Sequence, residues 1–189
     1  ALSAAGYPPA ALKSAERDDI RAVVELHIEQ GPVLESEQKQ IGIVDSIVGI
    51  VNYELSIQGS QNHAGTTSMS LRHDPVVAAA EFITESTRQM MAQSPSATLT
   101  YGMLQAFPGM QNVIADRVNL SIDLRDGSDE KLLQDVAVLK RALESIERRG
   151  FQTRLRQSDW LPSAQMDPNV IRVIERHCKE NHLAYKHMN

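Results

Sequence analysis

The sequence has one cysteine, Cys178, which excludes both an internal disulfide and a cysteine-rich zinc cluster. No apolar run approaches the roughly 20 residues that a membrane-spanning helix needs, and no signal-peptide pattern is present. Basic excess is missing too. The net charge is −5 with no basic stripe, which argues against nucleic acid as a partner. Internal repeats and low-complexity stretches are absent. The first residue is Ala1 rather than methionine, and the chain stops straight after a helix-like segment, so both ends look cut from something longer. What remains is ordinary for a globular protein: 42% apolar and 23% charged residues over 189 positions. That length suffices for one good-sized core, or for a compact domain plus pieces of another. A reducing, cytoplasmic setting is the default.

Residues 1 to 20 are alanine-rich and broken by Pro8 and Pro9, which reads as a loop with short helical pieces. Val23 to Ile28 reads as a buried strand, and the turn-rich "EQGPVLESEQKQIG" that follows reads as a connection. From Ser46 the period becomes 2. Ile47, Val51, Tyr53, Leu55 and Ile57 share one face of a long half-buried strand that Gly59 ends. Asp74-Pro75 is a helix start, and Val76, Ala79, Ala80, Ile83, Thr87 and Met90 keep helical spacing after it. Leu99, Tyr101 and Met103 alternate in a second strand, and Ile114, Val118, Leu120, Ile122 and Leu124 in a third. Ser128 can cap a second helix with the stripe Leu132, Val136, Leu139, Leu143, Ile146, closed by Gly150. Phe151 to Leu155 makes a fourth strand, "SDWLPSAQM" a linker, and Asp167-Pro168 starts a last helix with Cys178 inward.

Strand, helix, strand, strand, helix, strand is the βαββαβ, ferredoxin-like order. The expected fold class is therefore α+β. A domain over residues 46–158, with a four-stranded antiparallel sheet and two helices, is flanked by partial segments of another domain at 1–45 and 159–189. A compact domain inserted between two halves of another has chain ends that lie close together.

Four side chains could carry chemistry. His27 sits at the end of an apolar run, where a packed core ring and a metal ligand are both open readings. No second histidine lies within four residues, so spacing alone makes no zinc site. His63 lies in "SQNHAGTTSM", a loop rich in hydroxyls, where it is a working side chain or a solvated turn residue. Asn112 directly precedes a strand. Arg125, at the far end of that strand, can grip a carboxylate with two parallel hydrogen bonds or pair with Asp123 or Asp126.

Taken together, "ELHIEQGPVLE", "NHAGTTSMSLRHDP" and "NVIADRVNLSIDLRD" resemble the hydantoinase/carbamoylase branch of the aminoacylase- and carboxypeptidase-like dinuclear metal hydrolases. That branch contains N-carbamoyl-L-amino-acid hydrolases and allantoate amidohydrolases. The resemblance runs from about Tyr7 to Asn189. It implies that the flanking segments belong to an α/β catalytic domain and that the inserted domain is a lid which pairs two chains into a homodimer. It implies a metal ligand at His27, a substrate-contacting Gln30, and a His63 that stabilises an oxyanion in the partner's site. Asn112 and Arg125 are similar to residues that hold the substrate carboxylate. It also implies two divalent ions in the intact enzyme, zinc or manganese first and nickel or cobalt as alternatives, with none expected on these residues alone.

The expected reaction is hydrolysis of a ureido C–N bond in a small N-carbamoyl amino acid or allantoate. The other expectations left open are an aminoacylase- or dipeptidase-type amide hydrolase and a stand-alone pairing module. Ser68 and Ala115 depart from the branch's usual prolines, in positions that read as tolerated turn changes. Glu29 is assigned no role as base, and His177, His182 and His187 read as surface residues.

Overall fold

In a computed structural model of the chain, residues 3–6 and 17–189 are described. The proline-broken loop expected over residues 1 to 20 therefore falls largely outside the described residues. Two compact units emerge. One holds Asn169–Lys186 and the described residues up to Gly42; the other holds Ile43–Pro168 and His187–Asn189.

The larger unit is built on four antiparallel strands: β3 (Gly49–Gln58), β5 (Thr98–Phe107), β7 (Arg117–Asp126) and β8 (Gln152–Leu161), in the order β5-β7-β3-β8. Helix α2 (Pro75–Gln93) joins β3 to β5, and α3 (Asp129–Glu147) joins β7 to β8. This is the βαββαβ arrangement expected from the periodicity. Local chemistry sets its boundaries. The Asp74 carboxylate accepts from the Val76 N–H at 2.9 Å with Pro75 at the first helical position. Ser128 caps α3 through the Lys131 N–H, and Asp129 and Glu130 complement the dipole in its first turn. Gly150 takes φ +92° just past α3.

The core lies between the sheet and the two helices. Val51, Leu55 and Ile57 from β3, Val118, Leu120, Ile122 and Leu124 from β7, and Phe82, Leu132 and Leu139 from the helices are all buried there. Burying each such side chain contributes about 1.5–3 kcal/mol. The other face of the sheet is polar, carrying Asn52, Glu54, Ser121, Asp123 and Arg125.

Several expected details differ. Ile47 is exposed, because it belongs to the two-residue strand β2 (Ser46–Ile47), which pairs with β9 (Ala164–Gln165), and not to β3. The buried stripe of α2 is Pro75, Ala78, Ala79, Phe82, Ser86 and Met90, so Val76 and Ala80 point to solvent. Both sets obey helical spacing; the observed one buries the helix's single aromatic, Phe82, against the sheet. Met103 is exposed because Tyr101 and Gly102 together oppose Ile122, a bulge that flips the alternation and leaves Leu104 opposite Leu120. The fourth strand runs on through "SDWL" to Leu161, with a second bulge at Ser158.

In the smaller unit, the run Val23–Ile28 is irregular and exposed, not a buried strand; Val23 is 82% and Leu26 93% accessible. Apolar residues on both faces need neighbours on both sides, and among the described residues no strand flanks this run. The unit also contains the one-turn helix α1 (Val33–Ser36) and most of α4 (Pro168–Glu180), with Cys178 buried. Strands β1 (Ile41–Val44) and β10 (Tyr185–Met188) form a two-stranded ladder. His177, His182 and His187 are exposed as expected. Among the described residues no helix is long and apolar enough to cross a membrane.

Candidate functional site

The loop after β3 is built to hold His63. At Gly59 an added Cβ would lie 2.5 Å from the Pro75 Cδ and closer still to the His73 carbonyl, so only glycine lets the chain turn there. Gly59 N–H donates to Asp116 O at 2.7 Å and Ser60 N–H to His73 O at 2.9 Å. The short strand β4 (Asn62–His63) then pairs with β6 (Val113–Ile114), His63 opposite Val113. Ala64 N–H donates to Asn112 O at 3.0 Å, which sets Asn112 beside His63.

Thr67 fastens the far side of the turn, donating to the His63 carbonyl from its N–H at 3.2 Å and its hydroxyl at 2.8 Å. Arg72 clamps the same loop, with Nε on Thr67 O at 3.2 Å and Nη2 on Ala64 O at 2.7 Å. Neither role was visible from spacing, because both act through backbone carbonyls. The His63 ring is exposed, and its Nδ1 accepts from the Gly65 N–H at 3.0 Å. In the neutral ring the proton therefore sits on Nε2, which is left as the ring's donor.

Arg125 is elsewhere. It projects from the polar sheet face into a groove of about 650 Å³ lined also by Asn52, Thr98, Thr100, Ser121 and Asp123. It holds Asp123 with two hydrogen bonds, Nε to Oδ1 at 2.7 Å and Nη2 to Oδ2 at 3.0 Å, so the ion-pair reading is realised. Arg125 keeps the Asp123 carboxyl below the ordinary aspartate range, and Asn52, donating at 3.1 Å, helps. The pairing uses one edge of the guanidinium, and the side chain is 46% accessible, so its remaining N–H groups stay open to a second acceptor. Asn112 and His63 are reached from the Arg117 end of β7, whereas Arg125 is eight residues along it, roughly 26 Å at strand rise. The structure thus brings His63 and Asn112 together and leaves Arg125 apart.

His27 and Gln30 belong to the smaller unit. His27 Nδ1 donates to the Ile28 carbonyl at 2.6 Å, because a carbonyl can only accept; Nε2 is then the free lone pair that a metal would need. Gln30 turns the chain with φ +55°. Glu29 is committed to structure: its carboxylate accepts from Val33 N at 2.7 Å and Leu34 N at 2.9 Å at the head of α1. A catalytic zinc takes about three protein ligands. Among the described residues no group of three or more histidine, cysteine, aspartate or glutamate side chains could hold one, so His27 by itself does not make a metal centre.

No protein-family model matches the chain. Individual relatives do. It is 42% identical over 134 residues to an N-carbamoyl-L-amino-acid amidohydrolase of Paenarthrobacter aurescens, covering 70% of this chain and 32% of that protein. It is 41% identical over 142 residues to an allantoate amidohydrolase of Bacillus subtilis, covering 74% and 34%. Among solved structures, an amidase of the hydantoinase/carbamoylase family from Burkholderia multivorans superposes with a TM-score of 0.82 at 31% identity, over 86% of this chain and 40% of that one. The first three curated relatives are matched over only 32% to 40% of their own length.

Proposed function

Because the chain belongs to the hydantoinase/carbamoylase family of amidases, we propose that it serves, within a polypeptide of the relatives' length, in metal-dependent hydrolysis of the ureido C–N bond of an N-carbamoyl amino acid or allantoate. The observation that carries this reading is the placing of His63 beside Asn112 through the Ala64 N–H on Asn112 O, with the His63 proton held on Nε2 of an exposed ring by the Gly65 N–H. A donor fixed in that way can meet negative charge developing on a ureido carbonyl oxygen. Removal of a donor of this kind typically costs about 100- to 1,000-fold in kcat.

Arg125 would take the substrate carboxylate on its open guanidinium edge, while Asp123 holds the other edge and fixes the plane. His27 would donate Nε2 to one of two divalent ions, zinc or manganese, with the remaining ligands supplied from outside the described residues. Those ions would activate water and polarise the carbonyl. Gln30 would contact substrate from the same segment.

A small ureido acid cannot touch both ends of a strand that spans roughly 26 Å between Arg117 and Arg125. That distance supports a homodimer in which His63 and Asn112 of one chain serve a site whose Arg125 belongs to the other. The unit supplies surfaces for such pairing: β5 is a sheet edge with Met103 and Leu104 exposed. In this reading the βαββαβ unit is the lid and pairing domain. A cytoplasmic location fits the single, buried, reduced cysteine.

The test is a screen of the full-length protein with added zinc or manganese, reading ammonia release from N-carbamoyl amino acids, allantoate and ureidoglycolate. Turnover of N-acetyl amino acids or dipeptides with no turnover of any ureido acid refutes the substrate class.

A further inference from the structure

Behind Arg125, on the opposite face of β7, two carboxylates are shut away from water. Asp126 is 1% and Asp135 2% accessible. Asp126 ends β7, and Asp135 faces it from the second turn of α3. Asp126 is well supplied with donors: the Ser94 hydroxyl at 3.3 Å, the Ser96 hydroxyl at 3.1 Å and the Gly127 N–H at 2.5 Å. Asp135 is not. Its Oδ2 is buried without any donor, although its side chain meets those of Ser94 and Asp126. Ser94 has one hydroxyl proton and two carboxylates to serve.

We propose that Asp135 and Asp126 share one proton, Asp135 donating its O–H to the Asp126 carboxylate, and that this proton locks the start of α3 to the end of β7 that presents Arg125. One proton turns the unpartnered Asp135 carboxyl oxygen from an unsatisfied acceptor into a donor toward Asp126 and removes one of two adjacent buried charges. A bound cation serves less well. The serine hydroxyls and the Gly127 N–H already point hydrogens at Asp126, and no third carboxylate, histidine or cysteine among the described residues completes a ligand set.

Burial pushes the Asp135 carboxyl above the ordinary aspartate value, and the neighbouring Asp126 pushes it further; Ser94 and Lys131 act the other way. Those two are the charged groups that bear on it, Asp126 from β7 and Lys131 from α3. Ser94 and Ser96 after α2, Gly49 of β3 opposite Asp126 and Thr98 of β5 opposite Arg125 are not titratable, and Asp129 at the head of α3, beside Gly49, accepts the Ser163 N–H at 2.7 Å. A carboxyl whose pKa is raised on folding contributes stability below its unfolded pKa and loses it as pH rises through the folded value. The lock is therefore closed at low pH and opens on the alkaline side of the ordinary carboxyl range. The arrangement is independent of the reaction proposed above.

The test is a carboxyl carbon NMR titration of the chain, together with thermal melts of wild type and D135N between about pH 5 and pH 9. The amide of D135N donates permanently where the proton would sit. Expected are an Asp135 carboxyl that ionises well after the exposed aspartates, and a wild-type Tm that falls with pH relative to D135N. Amide exchange at Asp123–Gly127 should also speed up selectively at alkaline pH in wild type. An Asp135 carboxyl that titrates with the exposed aspartates overturns the proposal, as do melting curves of the two proteins that stay parallel across the range. If D135N fails to fold, the wild-type titration decides alone.

Discussion

Replacing Gly59 by alanine strikes the joint between the sheet and the His63 loop. The new Cβ would stand 2.5 Å from the Pro75 Cδ and nearer still to the His73 carbonyl oxygen, where ordinary contact begins near 3.4 Å. Neither obstacle is the free end of a flexible side chain. Pro75 is buried at the head of α2, and the His73 carbonyl accepts the Ser60 N–H at 2.9 Å. Relief therefore requires backbone to move by the better part of an ångström, loosening that hydrogen bond and tilting the helix start. Overpacking of this kind costs about 1–3 kcal/mol and a weakened backbone hydrogen bond about 1 more, so Gly59→Ala should destabilise by roughly 2–4 kcal/mol. Gly65→Ala is the control. Its Cβ meets only the exposed His63 ring, Cε1 at 3.2 Å and Nδ1 at 3.5 Å, and the cost should stay below about 1 kcal/mol. Urea denaturation with unchanged m measures both. Equal costs for the two variants, or a Gly59→Ala protein within about 0.5 kcal/mol of wild type, would show that the close approach at Gly59 does not constrain the loop.

Phe82→Ala empties the space between α2 and the sheet and should cost about 3–5 kcal/mol by the same assay; a loss below about 1 kcal/mol would contradict the core assignment. The Tyr101 phenol, pushed up to about 12 by burial although the Ser86 hydroxyl stands 2.5 Å away, should ionise well above the range of a free tyrosine, near 10, in an ultraviolet titration. Because that pKa is raised on folding, its stabilising contribution is complete below about 10 and lost as pH rises toward 12; Tyr101→Phe should remove this part of the alkaline unfolding. In the full-length protein, on the proposed reaction, Arg125→Lys keeps the charge and loses the fork, and should chiefly raise KM; an unchanged KM would remove Arg125 from the proposed carboxylate site. His63→Ala subunits mixed with His27→Ala subunits, each inactive alone, should recover activity, and mixed dimers that form but stay inactive would exclude action across the subunits.

The larger unit was legible because its signals are local and agree with one another. Val51, Leu55 and Ile57 alternate, Asp74-Pro75 and Ser128 start helices, and each of these does in the structure what its residue type does best. What misled was phase, not period. Val76 and Phe82 both fit a 3.6-residue stripe, and only the partner surface selects between them. Met103 fits a period of 2 until the Tyr101–Gly102 bulge adds a residue, a feature that an alternation count cannot see. Val23–Ile28 failed for a different reason: a strand apolar on both faces is defined by neighbours that pair with it, and none of those is among the described residues.

The candidate site divides along the same line. His63 and Asn112 stand 49 positions apart in sequence, yet the β4–β6 pairing makes them neighbours. Asn112 and Arg125 are 13 apart, yet an extended strand carries them to opposite ends of the sheet. The family resemblance implied one carboxylate grip formed by Asn112 and Arg125, whereas the backbone sorts them into two groups that no small substrate bridges within one chain. A strand of ten residues is rigid on that length scale, and no rotamer change closes a gap of roughly 26 Å. If both groups serve one reaction, their meeting has to come from assembly, so the oligomeric state of the intact protein becomes part of the chemistry. Dilution below the dimer dissociation constant should then abolish turnover by lowering kcat per chain with no loss of folded protein. Activity per chain that stays constant through dissociation would place the whole site in one protomer and leave either His63 or Arg125 without a substrate role.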